Sequence, residues 1–198
     1  MGMDNSSKII LDLCGGAGSW SRPYKEAGYD VRLVTLPEYD VLTYEPPDNV
    51  YGILAAPPCT DFSVSGAQYW KAKDQDGRTI KSMSTLIACL KIISMCRPDW
   101  WALENPVGRI KHWLGEPQLK FNPCDYGDPW TKKTYLWGNF NKPEKSPVEP
   151  VSNSNQTNCI SWPRDESGKS IGWNTDKAKE LRSITPPGFA EAFYKANK

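Results

Sequence analysis

Residues 8–20 read KIILDLCGGAGSW, and this stretch decides the fold. The apolar run at 8–14 predicts a fully buried strand, and the glycines at 15–18 predict a tight turn. Residues 19–27 then predict a helix. A buried strand that leads through glycines into a helix is typical of an open, mostly parallel α/β sheet with its functional residues at the strand ends.

The rest of the chain continues this alternation. Further strands are predicted at 29–36, 50–56, 99–103 and 134–137, and further helices at 79–96 and 187–195. We therefore expect an α/β fold with an open, mostly parallel sheet and helices on both faces. A length of 198 residues favours one domain over residues 1–198. Within it, the proline-rich segment 141–183 predicts an irregular insertion.

Composition excludes several classes of protein. The 24 Lys and Arg against 23 Asp and Glu give a net charge of +1, which argues against binding through a large overall positive charge. A single histidine, His112, excludes sites with two His ligands, and the six cysteines form no C-x-x-C pair, so no metal is expected. The polar N-terminus and the lack of a run of about 20 apolar residues predict a cytoplasmic protein with no membrane partner.

The glycine turn is the first candidate binding site. Its spacing is G-G-x-G, which matches neither the dinucleotide fingerprint G-x-G-x-x-G nor the phosphate loop. A ligand with an amino-acid end and no phosphate, such as S-adenosylmethionine, fits the turn better. The alternative is a glycine-rich connection without a ligand.

The second candidate is Cys59, which follows Pro57-Pro58 directly after an apolar run. A thiol behind a rigid proline pair at a strand end is placed as a nucleophile would be. A zinc deaminase is excluded because Phe62 replaces the second cysteine of P-C-x-x-C and no H-x-E occurs. The alternative is a buried cysteine in a tight turn.

Two further segments carry polar groups after strands. Glu104-Asn105 ends an apolar run, where burial raises the pKa of a carboxyl and suits it to share a proton with a base ring. Lys132 and Lys133 lie among aromatic residues, a pattern that suits contacts with nucleic acid. The alternatives are a helix-capping or turn carboxylate and a solvated hairpin with surface lysines.

The order of these motifs resembles the DNA cytosine-5 methyltransferase family. D-L-x-x-G-x-G, P-P-C-x-x-F-S-x-x-G, E-N and Y-G-x-P follow one another across residues 9–138, with a fainter similarity at 184–192. The proline-cysteine and E-N motifs, about 45 residues apart, are the specific part. The resemblance implies a Rossmann-like fold that uses S-adenosylmethionine to methylate C5 of cytosine, with DNA as the substrate.

The resemblance also implies roles for individual residues. Cys59 is expected to attack C6 of cytosine, Glu104 to hydrogen-bond the N3/N4 edge, and Asn105 to shape the loop. Lys132 matches the first arginine of the family's Q-x-R-x-R, whose second arginine is Thr134 here. The residues implied in cofactor binding are Asp12, Cys14, Gly15, Gly16, Gly18, Trp20, Glu38, Asp40 and Pro57, and those implied in contacting DNA are Ser63, Lys132 and Lys133.

Within that resemblance Gly15, Gly16 and Gly18 line the methionine end of the cofactor and Trp20 covers it. Asp40 corresponds to the acid near the adenine amine, and Glu38 is the substitute for the ribose contact.

The chain also departs from the family pattern. Thr60 replaces the usual Gln, Pro106 replaces Val, and only about 45 residues separate Gly138 from Ile184, so segment 141–183 stands in place of a full target-recognition domain. This shortage indicates low sequence specificity, a homo-oligomer or partner subunit, or a smaller substrate. RNA, a free deoxycytidine nucleotide and a catalytically degenerate binding protein remain alternatives. Small stand-alone members look like phage enzymes that modify DNA to evade restriction, which places the protein in a bacterial or phage-infected cell.

Overall fold

The computed structural model describes residues 4–150 and 183–198, together with residues 167 and 175. In these parts of the chain the strands form one sheet in the order β2-β1-β3-β4-β6-β5. The strands β2, β1, β3 and β4 run parallel, whereas β6 is antiparallel to β4 and β5 is antiparallel to β6. The bounds are β1 Ile9–Leu13, β2 Asp30–Val34, β3 Val50–Ala55, β4 Trp100–Pro106, β5 Leu119–Phe121 and β6 Thr134–Asn139.

Helices cover both faces of this sheet. Their bounds are α1 Arg22–Glu26, α2 Trp70–Gln75, α3 Arg78–Cys96, α4 Lys111–Leu114 and α5 Pro187–Ala196, with 3₁₀ turns at Val64–Tyr69 and Pro123–Tyr126. One face carries α3, whose Leu86, Cys89 and Ile92 are buried in the core against it. The other carries α1 and α5. The predicted α/β architecture is confirmed.

The second face holds an aromatic cluster that joins the two ends of the chain. The Trp20 ring, just after the glycine turn, lies 6.1 Å from Phe189 and 5.4 Å from Phe193 of α5. The Tyr24 hydroxyl donates to the Asn197 carbonyl at 3.2 Å. Buried aromatic pairs of this kind contribute about 0.5–1.5 kcal/mol each beyond their buried area, so α5 supports the turn.

Helix α3 is, among the described residues, long and apolar enough to cross a membrane by length and composition alone. No such segment was expected from the sequence, because its apolar runs are short and broken by charged residues or proline. In the structure Leu86, Cys89, Ile92 and Ile93 of α3 are buried against the sheet. The core helix of a globular domain passes the same test.

Several predicted boundaries shift in the structure. Helix α1 is only five residues long, because the chain continues in turns through Ser21 and Pro23 sets the first helical turn. Strand β5 was not predicted, since three residues are too few for periodicity to be recognised.

Part of the predicted insertion is visible. Residues 141–150 contain no helix or strand, as expected, and are tied to the 3₁₀ turn at Pro123–Tyr126 by backbone hydrogen bonds from Ser146 and Val148. Beyond residue 150, the described part of the predicted insertion consists of Ser167, Thr175 and Ser183. Its other residues lie outside the described parts of the chain. Its role in place of a recognition domain stays a prediction.

Candidate active site

Three predicted motifs meet at one edge of the sheet. Parallel strands β1, β3 and β4 are neighbours, so their carboxyl ends lie side by side. The amide of Ala56 donates to the Leu13 carbonyl at 2.9 Å, and the Asn105 side-chain amide donates to the Pro57 carbonyl at 2.9 Å. The glycine turn, the proline-cysteine loop and Glu104-Asn105 are thereby brought together.

The glycine turn requires its glycines for two different reasons. Gly16 and Gly18 have φ of +56° and +68°, a conformation that L side chains rarely adopt. At Gly15 the reason is space, since a Cβ there would lie 2.3 Å from the carboxyl carbon of Asp12. Asp12 therefore lies directly beneath the turn, and its fully buried carboxylate accepts a hydrogen bond from the Ser21 hydroxyl at 2.5 Å.

The environment of Asp12 disfavours its charge. Its other carboxylate oxygen is buried and has no hydrogen-bond partner among the described residues. Burial raises the pKa of Asp12 from 3.8 to about 6, although the Ser21 hydrogen bonds lower it. The folded protein thus binds a proton at Asp12 more tightly than the unfolded chain does between about pH 4 and pH 6.

The raised pKa of Asp12 leads to a prediction for Asp12→Asn. As pH rises from 4 to 7, ionisation of the buried carboxyl removes stability from the wild-type protein, by about 2 kcal/mol for a shift of this size. The amide does not titrate. We therefore expect the free energy of unfolding of the variant, relative to wild type, to rise by about that amount over the range, as measured by urea denaturation.

The matched control for this experiment is Asp48→Asn, which changes an exposed carboxylate. This variant measures the pH dependence that follows from the loss of an exposed carboxylate alone. If Asp12→Asn behaves in the same way as this control, then Asp12 is not a buried titrating group.

Cys59 lies half-buried in the loop after β3, and its thiol is not in a disulfide. Its carbonyl accepts from the amides of Phe62 at 3.0 Å and Ser63 at 2.9 Å, which closes a tight turn. Ser63 forms an isolated bridge with Gly108, where a Cβ would lie 2.1 Å from the Phe62 carbonyl oxygen. Glycine at position 108 thus allows the segment after β4 to lie directly against the cysteine turn.

Glu104 and Asn105 occupy the end of β4, with Glu104 half-buried and Asn105 fully buried. Burial raises the pKa of the Glu104 carboxyl, and the nearby positive charge of Lys132 lowers it in part. Asn105 uses its amide to hold Pro57, and its carbonyl oxygen has no partner within the described part of the chain.

Lys132 is held near Glu104 by the backbone that precedes β6. The Thr134 hydroxyl donates to the Lys132 carbonyl at 2.8 Å, and the Val107 amide donates to the Lys133 carbonyl at 3.0 Å. Lys133 is exposed at the rim, and Ser63 is half-buried, with its hydroxyl capping the 3₁₀ turn at Val64–Tyr69. The structure thus gathers Cys59, Glu104 and Lys132 around one edge.

Other predicted cofactor residues have different settings. Glu38 and Asp40 are exposed in the loop after β2, and the Asp40 carboxylate accepts from the Leu42 amide at 2.9 Å. Trp20 is 2% exposed and belongs to the aromatic core, so in this structure it supports the turn from below and does not cover its outer surface. Pro57 is buried beside Asn105.

Cys14 has a partner that the sequence did not indicate. The residue has a φ of +58°, which is rare for a side chain other than glycine. A hydrogen bond with the Cys89 thiol of α3 lowers the pKa of the Cys14 thiol, while burial opposes this shift. The contact ties the start of the glycine turn to α3.

Lys73 and Arg109 are the residues near this site that the sequence analysis missed. Each is only 7% exposed, and each donates hydrogen bonds to the loop that carries Cys59. Neither lies in a recognised motif. Among the described residues no group of His, Cys, Asp and Glu side chains is arranged to hold a metal ion.

Comparisons with known proteins bear on the fold and on the class of protein. No protein-family profile matches the chain. Over 167 residues the chain is 25% identical to the type II methyltransferase M.DdeI of Desulfomicrobium norvegicum, an alignment that covers 63% of this chain and 38% of that protein. A crystal structure from E. coli, described as a DNA modification methyltransferase encoded within a prophage, superposes with a TM-score of 0.50 and 18% identity.

The chain has a methyltransferase fold. The superposition covers 80% of this chain and 56% of the E. coli protein. The chain therefore matches only part of each relative, 38% of M.DdeI and 56% of the prophage protein. The weak sequence similarity to M.DdeI is independent of the superposition and points to the same class of protein.

Proposed function

We propose that this protein transfers a methyl group from S-adenosylmethionine to C5 of cytosine in DNA, through a covalent bond between Cys59 and C6 of the base. The observation that carries this proposal is the meeting of the glycine turn, the Cys59 loop and Glu104 at one edge of the sheet. A cofactor turn, a nucleophile and a proton donor are the groups that this reaction needs within reach of one base.

The glycine turn and the loop after β2 fit the cofactor. The exposed backbone at Gly16 and Ala17 presents no large side chain to a ligand, which suits its amino-acid end. Glu38 and Asp40 are exposed carboxylates beyond the neighbouring strand, which suit the ribose hydroxyls and the adenine amine. Asp12 supports the turn from beneath. When bound, S-adenosylmethionine supplies an electrophilic methyl group.

Cys59 and Glu104 carry the chemistry on the base. The Cys59 thiol loses its proton to water, and the thiolate attacks C6 as the Glu104 carboxyl donates its proton to N3. The electron pair of the C5–C6 double bond thereby becomes available at C5. C5 takes the methyl group, S-adenosylhomocysteine being the leaving group, and then loses its proton to a water molecule, while the N3 proton returns to the Glu104 carboxylate. Electrons return to re-form the double bond and expel the Cys59 thiolate. The raised pKa of Glu104 supports its role as the acid.

DNA as the substrate is supported by the comparisons. M.DdeI is a type II methyltransferase, and the E. coli protein is described as a DNA modification methyltransferase. A target cytosine in duplex DNA must leave the base stack, at a cost of a few kcal/mol. Lys132, Lys133 and Ser63 surround the Cys59 loop, and we assign them to contacts with the flipped base and its phosphates.

The test is methyl transfer from labelled S-adenosylmethionine to duplex DNA, single-stranded DNA, RNA and dCTP, with nucleoside mass spectrometry of the products. We expect 5-methyldeoxycytidine from DNA and no product from a duplex of only adenine and thymine. N4-methylcytosine or 6-methyladenine would overturn the proposed chemistry. Product from RNA or dCTP alone would correct the substrate. Saturable cofactor binding without any product would identify a binding protein.

A further inference from the structure

Two buried cations lie against the loop that carries Cys59. Lys73 comes from α2, and Arg109 follows β4. Burying a charged group is costly unless it is paired and hydrogen-bonded. The hydrogen-bond and ion-pair partners of Lys73 and Arg109 therefore indicate the role of these two buried side chains.

Both cations bond to successive backbone carbonyls of one turn. The Lys73 ammonium donates to the Thr60 carbonyl at 2.6 Å. Arg109 donates from Nε to the Asp61 carbonyl at 2.9 Å, and from its backbone amide to the Phe62 carbonyl at 2.9 Å. Since the Cys59 carbonyl accepts from the Phe62 and Ser63 amides, every carbonyl from residue 59 to 62 is bonded. None of these four backbone carbonyls is left without a donor.

The charges of this group are balanced from several directions. The Lys73 ammonium lies 2.9 Å from a carboxylate oxygen of Asp61, and the other oxygen accepts from the Ser82 hydroxyl of α3. Arg109 Nη1 lies 2.9 Å from a carboxylate oxygen of Asp74, and Nη2 donates to the Thr79 hydroxyl at 2.6 Å. The cysteine turn is thus braced against α2 and α3.

We propose that Lys73 is a positioning residue for Cys59. Its ammonium group, neutralised by Asp61, holds the Thr60 carbonyl, which is next to Cys59 in the chain. This contact fixes the direction in which the Cys59 side chain points out of the turn. Of the two cations, Lys73 bonds closest to Cys59 along the chain. The catalytic consequence rests on the proposed function, whereas the bracing of the turn does not.

The experiment compares Lys73→Met with the wild-type protein in two measurements. Hydrogen exchange of the peptide that contains residues 59–66 is expected to be about tenfold faster in the variant, with strands β4 and β6 unchanged. Because small displacements of a reacting atom are costly, the kcat per active site is expected to fall about 100-fold. The KM for S-adenosylmethionine should stay within about twofold, since the glycine turn is unaffected.

Active sites are counted by covalent trapping on DNA that contains 5-fluorocytosine, whose fluorine blocks loss of the C5 substituent and so prevents release of the enzyme. Partial unfolding would lower the number of active sites without changing kcat per site. Lys73→Arg, which keeps the donor and the charge, is expected to restore most of the rate. Lys120→Met is the matched control, because it breaks the exposed ion pair between Lys120 of β5 and Glu116.

The two measurements separate the possible failures. Unchanged exchange at residues 59–66 in Lys73→Met would overturn the positioning role, whatever the activity. Faster exchange with unchanged kcat per site would also overturn the positioning role, because loosening of the turn would then have no effect on the reaction of the Cys59 thiol. If the wild-type protein transfers no methyl group, the proposed function fails while the exchange result still decides the bracing. If Lys73→Met does not fold, Lys73→Gln is used, and the same two outcomes apply.

Discussion

Replacement of Cys59 by alanine is expected to lower methyl transfer about 10⁴-fold or more, because no other group can form the bond to C6 that activates C5. The variant should keep its fold and its affinity for S-adenosylmethionine, since the Cys59 side chain is only half-buried and belongs to the loop after β3, not to the glycine turn. Rates are measured with labelled cofactor under single-turnover conditions, so that product release does not limit them.

Cys96→Ala is the matched control, since it removes a partly buried thiol from the far end of α3. It is expected to leave the rate unchanged. Wild-type protein and Cys96→Ala should form a complex with 5-fluorocytosine DNA that survives denaturation, and Cys59→Ala should form none. Retention of full methyl transfer by Cys59→Ala would falsify the covalent mechanism.

The second large effect is expected at Glu104. Glu104→Gln should lower kcat about 10²–10³-fold, because glutamine offers a hydrogen bond to the base but cannot donate a proton. The kcat of the wild-type protein is also expected to depend on pH. Burial raises the pKa of Glu104, and the protonated form is the active acid, so kcat should decrease as pH rises through that pKa. The glutamine variant should lack this decrease.

A substitution at Lys132 tests the direction of the expected pH dependence of kcat. Its positive charge lowers the pKa of Glu104, so Lys132→Met should move the decrease in kcat to higher pH. The measurement is kcat between pH 5.5 and 9 for the three proteins. Glu116→Gln, at an exposed carboxylate, serves as the control and should match wild type. A pH profile of Glu104→Gln identical to that of wild type would remove Glu104 from the proton transfer.

Sequence alone predicted the elements whose pattern is local. The run at 8–14 followed by glycines specifies a buried strand and a turn, and both occur there as β1 and residues 14–18. The helices at 79–96 and 187–195 were also predicted, because apolar residues recur at helical spacing. These features depend on neighbours in sequence.

The features that sequence missed depend on distant contacts. Nothing about Lys73 distinguishes it from a surface lysine until α2 is placed beside Thr60 and Asp61. Trp20 was expected to cover the cofactor, but its neighbours Phe189 and Phe193 lie about 170 residues away in sequence. The pairing of Cys14 with Cys89 likewise requires α3 to lie across the end of β1.

The aromatic cluster around Trp20 also sets the order of events during biosynthesis. The glycine turn is translated well before the rings of Phe189 and Phe193 that pack beneath it and before the Asn197 carbonyl that holds Tyr24. Domains generally fold as units as the chain emerges. The turn therefore acquires its complete support only after α5 has been made, and a nascent chain stalled before α5 would display the glycine motif without the aromatic packing beneath it.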